Sequence, residues 1–142
     1  MNILNPISTI MSTDLITVNP SDKLEKVQAI FDEHRIHHIP VVRYTEIVGI
    51  ISKTDLLYFL KGLGAKGSEK MLNHIRLTNY TAEAIMTTGI AKLSSTDRID
   101  VALEVFKENL FHAIPIVDDE KLVGIVTTYD IIEAIASSKA SI

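Results

Sequence analysis

Two stretches of this chain repeat each other closely: VGIISKTD at residues 48–55 and VGIVTTYD at residues 123–130. In both, four apolar or glycine positions precede a hydroxyl residue, and an aspartate follows three residues after that hydroxyl. The apolar run is typical of a buried β-strand. The spacing of hydroxyl and carboxylate is typical of the first turn of a helix. The sequence therefore predicts, at both places, a strand that leads directly into a helix.

Both stretches belong to a longer internal repeat. Residues 10–60 align without a gap with residues 85–135, an offset of 75, and 14 of the 51 aligned positions are identical. Two copies are too few for a solenoid, so we expect two half-domains related by a pseudo-twofold axis and packed through their sheets. The predicted divisions are a first repeat over residues 7–60, a connector over 61–81 and a second repeat over 82–136.

Each copy has the pattern of a β-α-β-β-α unit, so the predicted fold class is α/β. In the first copy, a β-prone run at residues 15–18 is followed by Asp22 and Glu25, which are spaced as a capping box. Apolar residues then recur with the helical period over residues 24–31. A helix is therefore predicted after Asp22.

A hairpin is predicted after this helix. Residues 38–43 and 47–52 are apolar runs separated by a short polar turn, and residues 113–117 and 122–127 match them in the second copy. A second helix is predicted directly after each hairpin.

The connector contains a sequence that imitates a dinucleotide-binding motif. Residues 62–67 read GLGAKG, which fits GxGxxG, but they follow a predicted helix instead of a strand. A helix C-cap with a loop is the other interpretation and the one that we favour. A short helix is predicted over residues 69–77.

Composition limits the classes of protein to which the chain can belong. It has 142 residues, a net charge of -4 and 46% hydrophobic residues, enough apolar surface for a folded core. Because no basic run is present, neither nucleic acid nor a membrane surface is an expected partner. The absence of cysteine excludes disulfides, thiolate catalysis and cysteine metal sites. No apolar stretch is long enough for a membrane span or a signal peptide, and we expect a cytoplasmic protein.

The hydroxyl and aspartate of each stretch have two interpretations. Ser52 with Asp55, and Thr127 with Asp130, have the spacing of capping boxes, which satisfy the free amides of a helix with no ligand present. The alternative is a nucleotide site, since a helix N-terminus attracts phosphate and a short carboxylate accepts hydrogen bonds from a ribose diol. The residues alone leave both interpretations open.

Histidines precede the hairpins at equivalent positions, His37 and His112. An imidazole on a pocket rim can donate to a phosphate and gain a proton beside it, although a structural role also fits. His34, His37 and His38 suggest a metal site as well. The second copy has no carboxylate at ligand spacing and the chain has no cysteine, so we predict no metal.

Together these blocks resemble the CBS domain, which is named after cystathionine β-synthase. In the first copy the resemblance rests on MST at residues 11–13, the helix start at Asp22, HHIPVV at 37–42, VGIIS at 48–52 and SKTD at 52–55. Because both copies carry every block, the whole chain resembles a tandem pair of these domains, a Bateman module.

This resemblance implies a regulatory module and not an enzyme. Family members bind adenosyl ligands in two clefts, so AMP, ADP or ATP is the expected ligand, with S-adenosylmethionine and NAD in the same class. The implied ligand-binding residues are Asp55 and Asp130 at the ribose hydroxyls, Ser52 and Thr127 at ribose or phosphate, His37 and His112 at the phosphate, and Ile50 and Ile125 at the adenine.

The two implied sites differ in charge. The first copy offers His34, Arg35, His38, Arg43 and Lys53, and the matching residues of the second copy are Asn109, Leu110, Ala113, Asp118 and Thr128. The phosphate-binding residues are therefore unevenly distributed. Because clefts in this family take residues from both copies, the resemblance implies that one site favours a charged nucleotide and that the other binds weakly or prefers a less anionic adenosyl ligand.

The resemblance also implies a homodimer and an effector protein. The second helix of each copy, over residues 56–60 and 131–136, is apolar around more than one face, which suggests a further buried interface. The alternative function is a ligand-free dimerisation or interaction module, in which both Ser/Thr-x-x-Asp turns are helix caps alone.

Overall fold

The same order of elements occurs twice in the described part of the chain, residues 1–61 and 69–138 of this computed structural model. In each repeat a helix is followed by a two-stranded antiparallel hairpin and a second helix, which confirms the predicted α/β class. The elements are α1 (Leu24–Glu33), β1 (His38–Arg43), β2 (Glu46–Ser52), α2 (Lys53–Lys61), α3 (Glu69–Asn79), α4 (Ala82–Ile85), α5 (Ile99–Lys107), β3 (Ala113–Asp118), β4 (Lys121–Thr127) and α6 (Thr128–Ser138), with a 3-10 turn at Ile7–Thr9.

The two hairpins have the same register. β1 pairs with β2 so that His38 is opposite Ser52, and β3 pairs with β4 so that Ala113 is opposite Thr127. Each register shifts once, after Val41 in β1 and after the equivalent Ile116 in β3. The predicted hairpins are confirmed, and their register brings the start of the first strand beside the hydroxyl residue that ends the second.

Short bridges extend the first hairpin at both edges. Val18 pairs in parallel with Val41, and Thr87 pairs antiparallel with Ile50 through backbone hydrogen bonds of 3.0 and 2.8 Å. The predicted strand at residues 15–18 is therefore reduced to the single bridging residue Val18. The chain turns immediately after it, and Pro20 has no N–H to donate to a ladder.

The chain divides into two compact units whose bounds differ from those of the sequence repeats. One unit is Ile16–Gly89, and the other joins Met1–Leu15 to Ile90–Ile142. In the second of these units, Ser12 bridges to Ile125, as Thr87 bridges to Ile50 in the first. The opening segment of each sequence repeat therefore completes the hairpin of the other repeat.

Each unit has its own apolar core, in which two helices pack on one face of the hairpin. The predicted helical period of α1 is confirmed, because its apolar positions are buried. The core of Ile16–Gly89 consists of Val18, Leu24, Val27, Phe31, Ile39, Val41, Ile51, Leu56, Leu60 and Ala82. The core of the other unit consists of Ile7, Ile99, Ala102, Ile114, Ile116, Val126 and Ile131.

The start of α1 differs from the prediction. Its N-cap is Lys23, which makes no side-chain capping bond, so the expected capping box of Asp22 and Glu25 is wrong. The Asp22 carboxylate instead accepts a hydrogen bond of 2.8 Å from the Asn19 N–H and one of 3.2 Å from Lys26. Asp22 therefore closes the turn before the helix, a backbone alternative that short carboxylates commonly supply.

In the connector, α3 (Glu69–Asn79) confirms the helix predicted at residues 69–77. The GxGxxG sequence at residues 62–67 lies outside the described residues. Helix α4 was not predicted, because its four residues are too few to show a helical period.

Two hairpin glycines, Gly49 and Gly124, lie against methionines of the opening segments that bridge to β2 and β4 through Thr87 and Ser12. We call these two opening segments the edge segments. A Cβ atom built on Gly49 would lie 2.7 Å from Met86 Sδ and 3.0 Å from Met86 Cβ. A Cβ atom on Gly124 would lie 2.7 Å from Met11 Sδ and 3.2 Å from the Ser12 carbonyl oxygen. These contacts explain why both residue types recur in the repeat: the edge segments pack where the strand has no side chain.

We predict that Gly49→Ala destabilises the chain by about 1–3 kcal/mol, the usual cost of overpacking a close contact. The free energy of unfolding, measured by urea denaturation, tests this. The matched background is Met86→Ala, which removes Sδ and Cγ and leaves Cβ as the Met86 contact at 3.0 Å, and there the loss should be smaller. An equal loss in both backgrounds would show that Met86 is not the cause.

A hydrogen-bonded carboxylate ties the segment before α5 to the end of β3. Asp118 accepts a hydrogen bond of 2.5 Å from the Ser95 hydroxyl and one of 3.0 Å from the Ser95 N–H. The Ser95 hydroxyl, followed by the Ser95 backbone, lowers the pKa of Asp118 below its ordinary value. The matching residues in the other repeat are Pro20 and Arg43, which have no such donor and acceptor, so this link exists in one repeat alone.

We predict that Ser95→Ala raises the pKa of Asp118 towards its ordinary value, which a carbon-13 NMR titration of the carboxyl group would show. Because the folded pKa lies below the unfolded value of about 3.9, the pair stabilises the fold above that pH and stops doing so as the pH falls through the folded pKa. The loss of stability in Ser95→Ala should therefore shrink in acid. Ser94→Ala is the control, and a pH-independent loss in Ser95→Ala would contradict this interpretation.

Candidate functional site

The turn between β2 and α2 contains a complete capping box. The Asp55 N–H donates to Ser52 Oγ at 2.9 Å, and the Ser52 N–H donates to Asp55 Oδ2 at 3.2 Å. Both residues are half-buried. The capping interpretation of this turn is therefore confirmed by its hydrogen bonds, which use one of the two carboxylate oxygens of Asp55.

The turn between β4 and α6 repeats this geometry. The Asp130 N–H donates to Thr127 Oγ1 at 3.1 Å, and the Thr127 N–H donates to Asp130 Oδ2 at 2.9 Å. Thr127 and Asp130 are also half-buried. Each unit thus places one hydroxyl and one carboxylate at the N-terminus of a helix.

The two histidines lie next to these turns. The Lys53 N–H donates to the His37 carbonyl oxygen at 2.9 Å, and the Thr128 N–H donates to the His112 carbonyl oxygen at 3.1 Å. These bonds hold the start of the hairpin beside the first helical residue. Both histidine residues are exposed, so the backbone brings each one to its turn and leaves the residue accessible to solvent.

The isoleucines predicted at the adenine are buried in the described part of the chain. Ile50 is 6% exposed and Ile125 is 8% exposed. In the antiparallel hairpin, Ile50 is opposite Pro40, whereas its neighbour Ile51 is opposite Ile39 in the core. Since successive side chains of a strand point to opposite faces, Ile50 lies on the face of the hairpin away from α1 and α2.

One residue contacts the site that the sequence did not indicate. The Ser12 hydroxyl donates to Asp130 Oδ1 at 3.3 Å, while its backbone pairs with Ile125. The only sequence signal is that Ser12 and its repeat equivalent Thr87 both carry a hydroxyl. That signal was too weak to suggest a role. The sequence does not indicate that Ser12, in the first repeat, pairs with the hairpin of the second repeat.

The cationic residues of the first repeat do not all lie at its turn. His38 is opposite Ser52, and Lys53 follows Ser52 directly. Arg43 is opposite Glu46, five residues along β1 from His38, which corresponds to roughly 17 Å. Arg43 is therefore at the hairpin end away from Asp55, and the expected basic group is smaller than the sequence suggested.

No three His, Cys, Asp or Glu side chains are grouped to hold a metal ion within residues 1–61 and 69–138. The three histidines near residue 37 lie within these ranges. In the same part of the chain, none of the helices has the length and apolar character needed to cross a membrane.

The family of the chain follows from comparison with known proteins. The model of the CBS domain matches residues 7–62 and again residues 82–137. The chain therefore belongs to the CBS domain family and carries two of these domains in tandem, which confirms the resemblance seen in its sequence.

Curated relatives share the same region at low identity. Protein MJ1225 of Methanocaldococcus jannaschii is 27% identical over 133 residues, which cover 89% of this chain and 45% of that protein. Inosine-5'-monophosphate dehydrogenase of Thermoplasma acidophilum is 27% identical over 125 residues, 87% of this chain and 22% of the enzyme. The chain thus spans less than half the length of these two relatives.

Solved structures have the same fold. The CBS domain of a membrane protein from Sphaerobacter thermophilus is 26% identical, with a TM-score of 0.78 over 92% of this chain and 88% of that one. The CBS domain pair of protein MJ0100, in complex with 5'-methylthioadenosine and S-adenosylmethionine, is 26% identical, with a TM-score of 0.72 over 92% and 98% of the two chains. CBSX2 in complex with AMP is 23% identical, with a TM-score of 0.79 over 95% and 99%.

Proposed function

We propose that this chain is a regulatory module that binds an adenosyl ligand at its two Ser/Thr-x-x-Asp turns and transmits the bound state to a partner protein. The observation that carries the proposal is the recurrence of one arrangement in both units. A carboxylate, a hydroxyl and a histidine backbone meet at the N-terminus of a helix, at Asp55 and again at Asp130.

The hydrogen bonds of Asp55 support a role for it as the ribose acceptor. The Ser52 N–H occupies Asp55 Oδ2, and Oδ1 of the same carboxylate is an acceptor for a ribose hydroxyl. A carboxylate accepts such bonds strongly because it is charged. Because Asp55 is half-buried, it is accessible to a ligand and partly shielded from water.

The phosphate contact would come from the helix end and the neighbouring histidine. Amides in the first turn of a helix and its dipole favour an anion, and His37 is exposed beside this turn. Lys53 adds a cation in the first unit, where Thr128 is the matching residue. An anionic ligand such as AMP, ADP or ATP suits the Asp55 turn better than the Asp130 turn, where an adenosyl ligand of lower charge is equally suitable.

The relatives support this class of ligand. The MJ0100 domain pair, at 26% identity, holds two adenosyl compounds in its solved structure. The identity of the ligand within the class, whether a nucleotide, S-adenosylmethionine or NAD, is part of the proposal, as are the roles of Ile50 and Ile125 at the adenine. The same proposal divides the chain into binding repeats at residues 7–60 and 82–136 and a connector at 61–81.

A ligand-free module is the second candidate, and one observation favours it. Both capping boxes are complete without any ligand, so helix capping alone is a sufficient reason for each turn. The two candidates differ in whether the remaining carboxylate oxygen has a function.

We predict that Asp55→Asn and Asp130→Asn separate the two candidates. The asparagine oxygen can still accept from the Ser52 or Thr127 N–H, and since asparagine caps about as well as aspartate, stability should change little. The amide nitrogen cannot accept from a ribose hydroxyl, so calorimetric titration with AMP, ADP, ATP, S-adenosylmethionine and NADH should show affinity lowered at least about tenfold at the altered turn.

The control for this titration is Asp22→Asn, which removes the same charge from a carboxylate that bonds Asn19 and Lys26. Its affinity should match that of the unaltered chain. If no adenosyl compound binds, or if the double variant of Asp55 and Asp130 binds as tightly as the unaltered chain, the ligand-free module is the correct interpretation.

We further propose a cytoplasmic homodimer that acts on an effector protein and has no catalytic activity of its own. Leu57 in α2 and Ile132 in α6 occupy the same repeat position and are 44% and 63% exposed. Ile135, in the next turn of α6, is 48% exposed. Ile132 and Ile135 are three residues apart and therefore share one face of α6. An exposed apolar face of this kind is typical of a self-associating surface, and a second copy of the chain is the proposed occupant.

We predict that Ile132→Glu converts the dimer to a monomer, because a charged side chain would be buried without a partner in the interface. Sedimentation equilibrium measures the mass directly. Tyr44→Glu is the control, since Tyr44 is 96% exposed at the hairpin turn and lies outside both helices. A monomeric unaltered chain, or a dimer that survives Ile132→Glu, would contradict this assignment.

A further inference from the structure

The two proposed ribose acceptors are not equivalent. Asp130 accepts from the Thr127 N–H at Oδ2 and from the Ser12 hydroxyl at Oδ1, the latter at 3.3 Å. In the other unit, Thr87 is the repeat equivalent of Ser12, and among the residues that the structure describes no hydrogen bond joins Thr87 to Asp55. One carboxylate therefore has both oxygens engaged, and the other has one.

We propose that Ser12 is an internal competitor for the ribose at the Asp130 turn, so that the two turns differ in affinity and the Asp55 turn is occupied first. This inference rests on the proposed function, because it concerns the same carboxylates. The Ser12 hydroxyl occupies the oxygen that a ribose hydroxyl would use. Each carboxylate oxygen can accept two hydrogen bonds, so Ser12 weakens the approach of a ribose hydroxyl to Asp130 Oδ1 without blocking it, whereas no described side chain donates to Asp55.

The anchoring of Ser12 determines how this competition works. The Ser12 N–H donates to the Ile125 carbonyl at 2.9 Å, and the Ile125 N–H donates to the Ser12 carbonyl at 3.0 Å. Met11, the preceding residue, packs on Gly124. The backbone is thus fixed, while the exposed side chain can rotate to another rotamer. Release of Asp130 costs one hydrogen bond and leaves the edge pairing intact.

The size of the effect follows from that single bond. At 3.3 Å the bond is longer than the roughly 2.5–3.0 Å of an ordinary O–H···O bond, so its loss should change an equilibrium only about two- to threefold. The competition thus makes Ser12 a specificity-determining residue between the two turns and does not close the Asp130 turn completely. Lys53, which has Thr128 as its counterpart, favours the same order for an anionic ligand, so the test must remove the Ser12 hydroxyl alone.

The test uses calorimetric titration with AMP in backgrounds that isolate each turn. Asp55→Asn leaves the Asp130 turn intact, and in that background Ser12→Ala should raise the affinity for AMP about two- to threefold. Asp130→Asn leaves the Asp55 turn intact, and there Ser12→Ala should have no effect. Thr87→Ala in the second background is the matched control and should also leave the affinity unchanged.

The direction of the change decides the outcome. A lower affinity for AMP in Ser12→Ala, with Asp55→Asn present, would show that Ser12 contacts the ligand, and this would overturn the proposal. An unchanged affinity would overturn it too, because the hydroxyl would then not compete.

A second measurement needs no ligand. In a double-mutant cycle of Ser12→Ala with Asp130→Ala, the free energy of unfolding should show coupling between the two residues, whereas the cycle of Thr87→Ala with Asp55→Ala should show none. If AMP binds but Ser12 and Asp130 show no coupling, the proposed competition is refuted and the proposed function stands. Coupling while no variant binds any adenosyl compound would refute both.

Discussion

Edge pairing of the hairpins is the constraint on which the rest of this structure depends. A two-stranded hairpin is marginal on its own, and each hairpin here is extended by a bridge at either edge, with Thr87 beside β2 and Ser12 beside β4. Gly49 and Gly124 make the approach possible, because any side chain at either position would meet a methionine. Each compact unit therefore includes the opening segment of the other sequence repeat, and neither repeat is a complete unit by itself.

The same pairing explains why folding and the proposed binding use the same atoms. β2 and β4 each end in a hydroxyl residue, and its side-chain oxygen accepts a hydrogen bond from the N–H of the aspartate three residues later. The carboxylate of that aspartate is the proposed ribose acceptor. An aspartate suits both tasks, because one carboxylate oxygen accepts from the strand N–H and the other is the proposed ribose acceptor. Glutamate at this position would satisfy a capping box but is one methylene longer, so the short side chain is consistent with a requirement beyond capping.

Much of this could be predicted from the sequence, for identifiable reasons. The hairpins, the second helices and the caps at Asp55 and Asp130 depend on local patterns and on spacings of a few residues, and the repeat presented each pattern twice. The start of α1 could not be predicted as well, since Asp22 has the residue type of an N-cap but bonds backwards to Asn19. Contacts between distant segments, such as Ser12 with Asp130, depend on which edge each opening segment joins. No local pattern contains that information. The separation of Arg43 from Ser52, in contrast, is a property of one hairpin and follows from its register.

The two repeats differ in their polar links. Core positions exchange one apolar residue for another, which preserves packing, whereas the polar links differ in kind. Asp118 is held by Ser95 in one unit, while the matching Arg43 and Pro20 cannot form that pair. Ser12 bonds Asp130, and Thr87 is not bonded to Asp55 within the described residues. A chain with two identical turns would respond to its ligand in one step. Two turns of unequal affinity would respond over a wider range of ligand concentration, and the unequal hydrogen bonding of these two carboxylates is the physical basis of the proposed difference.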